Sequence, residues 1–388
     1  MSARANQAVH AAIDLAIKEY GEVGLQVAAY VDGKQVVDAW GGIADQQTGR
    51  KVDGDTLFCP MSVTKAVTAV ALHIQADRGL VEYAAPVAKY WPEFGVFGKE
   101  KGTVYDVLTH RVGLPFMPAG VTPELMCDWE WMTTQIARMH PLFEPGTRSA
   151  YQSLTFGWLI GEVVRRTDPQ ERPFGQFVQD EICKPLGIDS LWLGAPDHAI
   201  PRVARLIAPP NLGVKDPGYR PDDWRALSHP AAVQSPEAVY GQRQVMQACL
   251  PGSGALMNAR SCARFYSMLA ELGALDGVRL LSEARVRTFH VLRPPVDWDL
   301  TLGKPHAGTV GGFWQSGTPN MAVVGTSPRA YGHPGFGGSV GWNDPDHRFS
   351  MAILHNRLFG GESAGSVRDG RSFVMIAEAA RKELGIRG

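Results

Sequence analysis

The sequence predicts an α+β (α/β-class) protein: one antiparallel sheet assembled from both chain ends, flanking helices, and a mostly helical subdomain between. Three observations carry this. Strand-like runs lie near both ends of the 388 residues and are sparse in the middle. Amphipathic helical runs open and close the chain, at 6–19 and 367–384. The middle is rich in proline and broken into short helical runs. Strands at both ends with helices between them favour one sheet carrying an insertion. The expected division is 1–84 with 235–388 for the sheet-bearing part and 85–234 for the helical part, with the active site at their boundary.

In the first helix Val9, Ala12, Ile13, Ala16 and Ile17 fall at helical spacing, with Asp14, Lys18 and Glu19 between them. Two β-rich runs, 24–30 and 35–40, then flank Asp32-Gly33, a strong hairpin signal. The turn signal Asp53-Gly54-Asp55 precedes a helix expected from Ser62 to Arg78, free of Gly and Pro until Gly79. Short helical runs follow at 104–109, 155–165 and 174–182. Residues 201–234, rich in Pro, Asp and Arg and without periodicity, predict a long surface excursion over the site. Helical signal returns at 259–272 and 282–292. Strand-like runs come last, at 309–314, 322–324, 339–342 and 349–356, with Asn343-Asp344-Pro345-Asp346 turning between the final two.

Composition excludes several classes. The net charge is −1 with no long run of one sign, which speaks against nucleic-acid and polybasic membrane partners. No apolar window is long enough to span a bilayer, and the first helix lacks the n-region and h-region of a signal peptide. The 5 cysteines are scattered without C-x-x-C spacing, so neither a disulfide framework nor a zinc site is expected. The 11 histidines include no H-E-x-x-H pattern. These features predict a cytoplasmic protein with no metal, and they specify no oligomeric state.

Three stretches carry chemistry. In Cys59-Pro60-Met61-Ser62-Val63-Thr64-Lys65-Ala66, Ser62 and Lys65 stand one helical turn apart on one face. A serine hydroxyl is a poor nucleophile until a base removes its proton. An amine can do so once burial or a neighbouring cation lowers its pKa from about 10.4. Serine is also a preferred helix cap, so the spacing alone suits an ordinary helix equally. In the second stretch a Pro145-Gly146 turn leads to Tyr151-Gln152-Ser153, just before an apolar helix. A loop tyrosine there is either a proton carrier or a half-buried packing residue. The third is Tyr331-Gly332-His333-Pro334-Gly335-Phe336-Gly337-Gly338-Ser339. Its glycines permit close backbone approach to a ligand and free N–H groups for an oxyanion. They also suit a plain tight hairpin.

Taken together, Ser-x-x-Lys, then a tyrosine, then a His-x-Gly strand resemble the serine β-lactamase and penicillin-binding-protein superfamily. Within it the pattern is most like family VIII carboxylesterases and class C β-lactamases. Asp55-Thr56-Leu57-Phe58, Leu108-Thr109-His110-Arg111-Val112-Gly113-Leu114-Pro115 and Pro251-Gly252-Ser253-Gly254-Ala255-Leu256 resemble further stretches of that family. The resemblance implies a β-lactamase-like fold, Ser62 as acylated nucleophile, and Lys65 and Tyr151 sharing the general-base work. It implies the N–H groups of Ser62 and Phe336 as oxyanion donors, and no metal or organic cofactor. Ser153, His333, Gly335 and Phe336 are the expected substrate-binding positions. Two departures stand out. Ser153 replaces the asparagine amide of such lactamases, and His333-Pro334-Gly335 replaces Lys-Thr-Gly. A histidine is mostly neutral near pH 7, so both changes suit neutral esters. The activity that the resemblance implies is hydrolysis of a small-molecule substrate, a small or medium acyl ester, through an acyl-enzyme. Acyltransferase, amidase or weak β-lactamase activity at the same site, and a non-catalytic binding protein, are the alternatives.

Gly337-Gly338-Ser339-Val340-Gly341 matches G-x-S-x-G, but that motif works only where a strand turns into a helix. Here a strand is expected to follow, so Ser339 is read as a hairpin residue. Trp129, Trp131, Phe313, Trp314 and Phe336 are candidates for an apolar pocket, with core packing as the alternative for each.

Overall fold

The computed structural model describes residues 2–209, 224–295, 298–317, 319–359 and 371–386. Helix α1 (Ala3–Glu19) starts at Ser2, whose hydroxyl accepts the Ala5 N–H. Ala5, Val9, Ala12, Ile13 and Ala16 form its buried stripe, the spacing of a helix with one apolar face. Strands β1 (Gly24–Val31) and β2 (Lys34–Asp45) make the expected hairpin about Asp32 and Gly33. β3 (Arg50–Lys51) extends it.

Helix α2 (Thr64–Asp77) is buried from Thr64 to Gln75. It packs on α3 (Thr155–Thr167). Helix α4 (Ala259–Ala270) leads to four strands: β4 (Trp314–Gln315), β5 (Tyr331–Pro334), β6 (Val340–Asp344) and β7 (Phe349–His355). Helix α5 (Arg371–Leu384) follows. The seven strands form one antiparallel sheet in the order β4-β5-β6-β7-β1-β2-β3. The two chain ends therefore meet at its centre, where Val27 faces Ile353 and Ala29 faces Met351. Side chains alternate across β1. Leu25, Val27 and Ala29 join α1 and α5 in one core, while Ala28 and Tyr30 join α2, α3 and α4 in the other. Among the described residues no helix is long and apolar enough to cross a membrane.

Several expectations change. Ser62 is not a helix cap. It sits in a 3₁₀ turn, Met61–Val63, that leads into α2, with Met61 at φ +50°. The run at 309–314 is a turn closed by Thr309 and Phe313, and only Trp314–Gln315 is a strand. Residues 322–324 lie in a 3₁₀ segment whose Val323 carbonyl accepts from Arg381 of α5. Three β-branched or small residues carry too little periodicity to resist that docking. The helix expected over 282–292 is one turn, Glu283–Val286. Residues 201–209 are no excursion: the N–H groups of Ala204, Arg205 and Ile207 bond the carbonyls of Leu57, Ala44 and Asn356. The central part of the expected excursion, 210–223, lies outside the described residues, as do 367–370 of the last helical run.

Candidate active site

Lys65 is fully buried at the start of α2. Its Nζ lies 3.1 Å from Ser62 Oγ, 2.6 Å from the Ser153 carbonyl and 2.7 Å from the Gly252 carbonyl. Burial alone pushes its pKa well below the ordinary 10.5, since removing an ammonium from water disfavours the charged form. The amine therefore gives up its proton more readily than an exposed lysine, and burial does this without a neighbouring cation. The Tyr151 ring stands beside it, 5.1 Å from Nζ to the ring centroid, with Phe156 at 5.9 Å.

Two glycines make this arrangement sterically possible. A Cβ on Gly157 of α3 would lie 2.1 Å from the Gly252 nitrogen. Only a bare helix surface lets the 251–252 backbone come close enough to present its carbonyl to Lys65. A Cβ on Gly335 would lie 2.0 Å from the Pro60 carbonyl oxygen. The turn after β5 thus lies hard against the residue two before Ser62.

Tyr151 is buried, and burial raises its phenol pKa, opposed by a hydrogen bond with Ser62 and assisted by the negative charge of Asp299. Its N–H donates to Asp299 Oδ1 at 3.0 Å. The next N–H, of Gln152, donates to His110 Nδ1 at 3.2 Å. The His110 ring lies 4.6 Å from the Tyr151 ring and 5.0 Å from Phe156. His333 is fully buried, 6.4 Å from Tyr151 between ring centroids. Its Nδ1 donates to the Pro334 carbonyl at 2.7 Å, so Nε2 carries a lone pair and has no protein partner among the described residues. Burial, then the nearby Lys65, holds its pKa well below 6.5.

The structure brings Ser62, Lys65, Tyr151, Ser153 and His333 together and sets Gly335 against the Ser62 turn. Ser153 differs from expectation in the group it offers: its main-chain carbonyl binds Lys65. Phe336 is half-buried against the larger core. Of the candidate pocket aromatics, Trp314 stands beside Tyr151 and His333 at 5.9 and 5.8 Å. Phe313 packs on Phe289, and Trp129 donates to buried Glu162 and stacks near Phe174, so both are core residues. Trp131 is likewise half-buried against the larger core. Ser339 is buried and its Oγ accepts the His355 N–H at 3.2 Å, in a hairpin between two strands. Among the described residues no cluster of His, Cys, Asp or Glu could hold a metal.

Sequence reasoning missed the roles of Gly252, His110 and Asp299. The first two lie in stretches already marked by the resemblance, whereas Asp299 carries no motif.

Comparisons with known proteins identify the family and the fold. The Beta-lactamase family model matches residues 9–372. Esterase/beta-lactamase LipL of Mycobacterium tuberculosis is 35% identical over 348 residues, 86% of this chain and 77% of the relative. A crystal structure of a family VIII carboxylesterase superimposes with TM-score 0.88 at 29% identity, covering 99% of this chain and 98% of the other. A penicillin-binding-protein homologue from Caulobacter crescentus gives TM-score 0.86 at 31% identity, with the same coverage. A family model spanning nearly the whole chain, together with these likenesses in fold, establishes that the chain belongs to the beta-lactamase family, as a serine hydrolase.

Proposed function

We propose that the protein is a serine carboxylesterase hydrolysing small or medium neutral acyl esters through an acyl-enzyme on Ser62. One observation carries this: a fully buried Lys65, its pKa lowered by burial, whose Nζ meets two carbonyls and Ser62 Oγ. A neutral amine has two N–H donors and one lone pair. The carbonyls of Ser153 and Gly252 take both donors, which leaves the lone pair for the Ser62 hydroxyl. Lys65 is then the base of acylation. Tyr151, kept protonated by burial, passes its proton to the leaving alcohol and recovers one from Lys65. In deacylation the same pair activates water.

The Ser62 and Phe336 N–H groups are the oxyanion donors in this reading. Support comes from the close approach of Gly335 to Pro60. The N–H groups of Val63 and Gly338 are committed to the carbonyls of Pro60 and Gly335. His333, neutral and with a bare lone pair, offers no cation for a substrate carboxylate. Ser153, His333, Gly335 and Phe336 line the acyl and alcohol subsites in this reading. The names of the family VIII carboxylesterase and of LipL support ester chemistry. The double name of LipL also favours weak β-lactam turnover as a second activity. The two-part division, 1–84 with 235–388 and 85–234, and a cytoplasmic location belong to the same proposal. The latter is supported by five free cysteines.

The test is turnover of p-nitrophenyl esters by Ser62→Ala, with intact-mass mapping of a fluorophosphonate adduct. Loss of turnover and an adduct on Ser62 are expected. Retained turnover, or an adduct on Ser339, overturns the reading.

A further inference from the structure

Asp299 lies outside every motif that marks the site, yet the Tyr151 loop is built on it. Its carboxylate is buried and stays ionised: burial opposes the charge, but His306 at 3.6 Å and the surrounding hydrogen bonds outweigh burial and lower its pKa. Oδ1 accepts the N–H groups of Tyr151, Thr301 and Leu302, each at 3.0 Å. Oδ2 accepts the Ser149 hydroxyl at 2.7 Å. Arg293 donates to that same Ser149 oxygen at 2.5 Å. The Leu300 N–H donates to the Ser149 carbonyl at 2.9 Å. The turn at 299–302 therefore clamps the chain on both sides of Ala150.

We propose that Asp299 is a positioning residue for Tyr151: by holding the Tyr151 N–H and the Ser149 hydroxyl, it sets where the phenol stands when the leaving alcohol takes a proton. The inference rests on Tyr151 being the proton carrier. In that step the ester C–O bond breaks and the electron pair leaves with the alkoxide. The phenol proton passes to the alkoxide, and the phenolate takes back the proton that Lys65 removed from Ser62. Lys65, His110, His306 and His333 face the Tyr151 ring, and the Asp299 bond is what fixes the main chain that carries it.

The consequence depends on the leaving group. An alkoxide needs the proton in order to leave, whereas p-nitrophenoxide leaves without it. A phenol displaced by 1 Å can cost about 100-fold in rate. A general loosening of the fold would instead slow both kinds of ester alike.

The experiment compares kcat/KM for ethyl and p-nitrophenyl esters of one acid. Asp299→Ala should lower the ethyl ester by about 100-fold and the p-nitrophenyl ester by about tenfold or less, mainly in kcat. Asp299→Asn, which keeps an Oδ1 acceptor, should restore the wild-type ratio between the two esters. Equal losses on both esters, or an asparagine variant with the ratio of the alanine variant, overturn the proposal. If Asp299→Ala does not fold, Ser149→Ala replaces it, with the same split expected and the same equal loss overturning it. The Ser62 adduct is measured in parallel. A wild-type enzyme that forms none overturns the reading of the site, whereas an adduct with equal losses overturns only the role of Asp299.

Discussion

Lys65 combines two properties that rarely coexist: full burial and three polar neighbours that carry no formal charge. Its lowered pKa has a thermodynamic signature. Between its lowered folded pKa and the ordinary 10.5, the unfolded chain holds a proton that the folded chain does not. Stability must therefore rise with pH across that window. Relative to Lys65→Met, the wild type should gain stability as the pH rises toward 10.5, by at most about 1.4 kcal/mol per pH unit. Denaturant titrations of both proteins check this, and parallel curves would show that the amine is charged. His333 makes a complementary prediction. Replacing it with lysine supplies an amine that a substrate carboxylate can hold in the charged form despite burial, so His333→Lys should raise acylation by carboxylate-bearing β-lactams by about tenfold and slow neutral esters. Stopped-flow acylation with both substrates measures it.

At this scale Ser62, Lys65, Tyr151 and His333 are legible because each needs a particular functional group at a recurring spacing. Gly252 is not, because it acts through a carbonyl that every residue carries. Asp299 is not, because 148 positions separate it from the tyrosine it holds, and nothing local marks that closure.

At the scale of elements, α3 shows how a helix surface shapes a site that it does not line. Gly157 has to lack a Cβ because the Gly252 backbone occupies that space. Gly157→Ala should push residues 251–252 away, cost about 1–3 kcal/mol by overpacking, and lower kcat at least tenfold with little change in KM. Thermal melts and steady-state kinetics test both halves. A second element-level device lies beneath the turn after β5. Glu22 Oε2 accepts from His355 Nδ1 at 2.9 Å, and Glu22 Oε1 accepts from Ser372 Oγ at 2.9 Å, all of them buried. The His355 ring packs against Gly338, where a Cβ would come within 2.8 Å of it. Removing the carboxylate leaves the buried His355 ring N–H and Ser372 hydroxyl without their acceptor, so Glu22→Ala should cost about 1–3 kcal/mol, read as a fall in the denaturation midpoint. The hairpin about Asp32-Gly33 and the two terminal helices are readable from pattern. The 3₁₀ segment Pro319–Val324 is not, because its form is decided by docking on α5.

For the whole molecule, the decisive fact is that β1 lies between β2 and β7. Period-two alternation announces strands at both ends, but it cannot say which strand takes which neighbour. The pairing makes the N-terminal hairpin dependent on the last strand. A chain ending after residue 330 lacks β5, β6, β7 and α5. It should show no near-UV dichroism and no esterase activity, whereas loops and short helices alone would leave the β1–β2 hairpin unable to persist in water.

The three groups around Lys65 Nζ come from positions 62, 153 and 252, 88 and 187 residues distant from the lysine in the two longer cases. They converge only when α2, the Tyr151 loop and the 251–252 segment have all docked. Reactivity of Ser62 toward a covalent probe therefore times the last event in maturation. A refolding chain should gain its dichroism before it can be labelled, and the interval between the two signals is a stopwatch on the final closure.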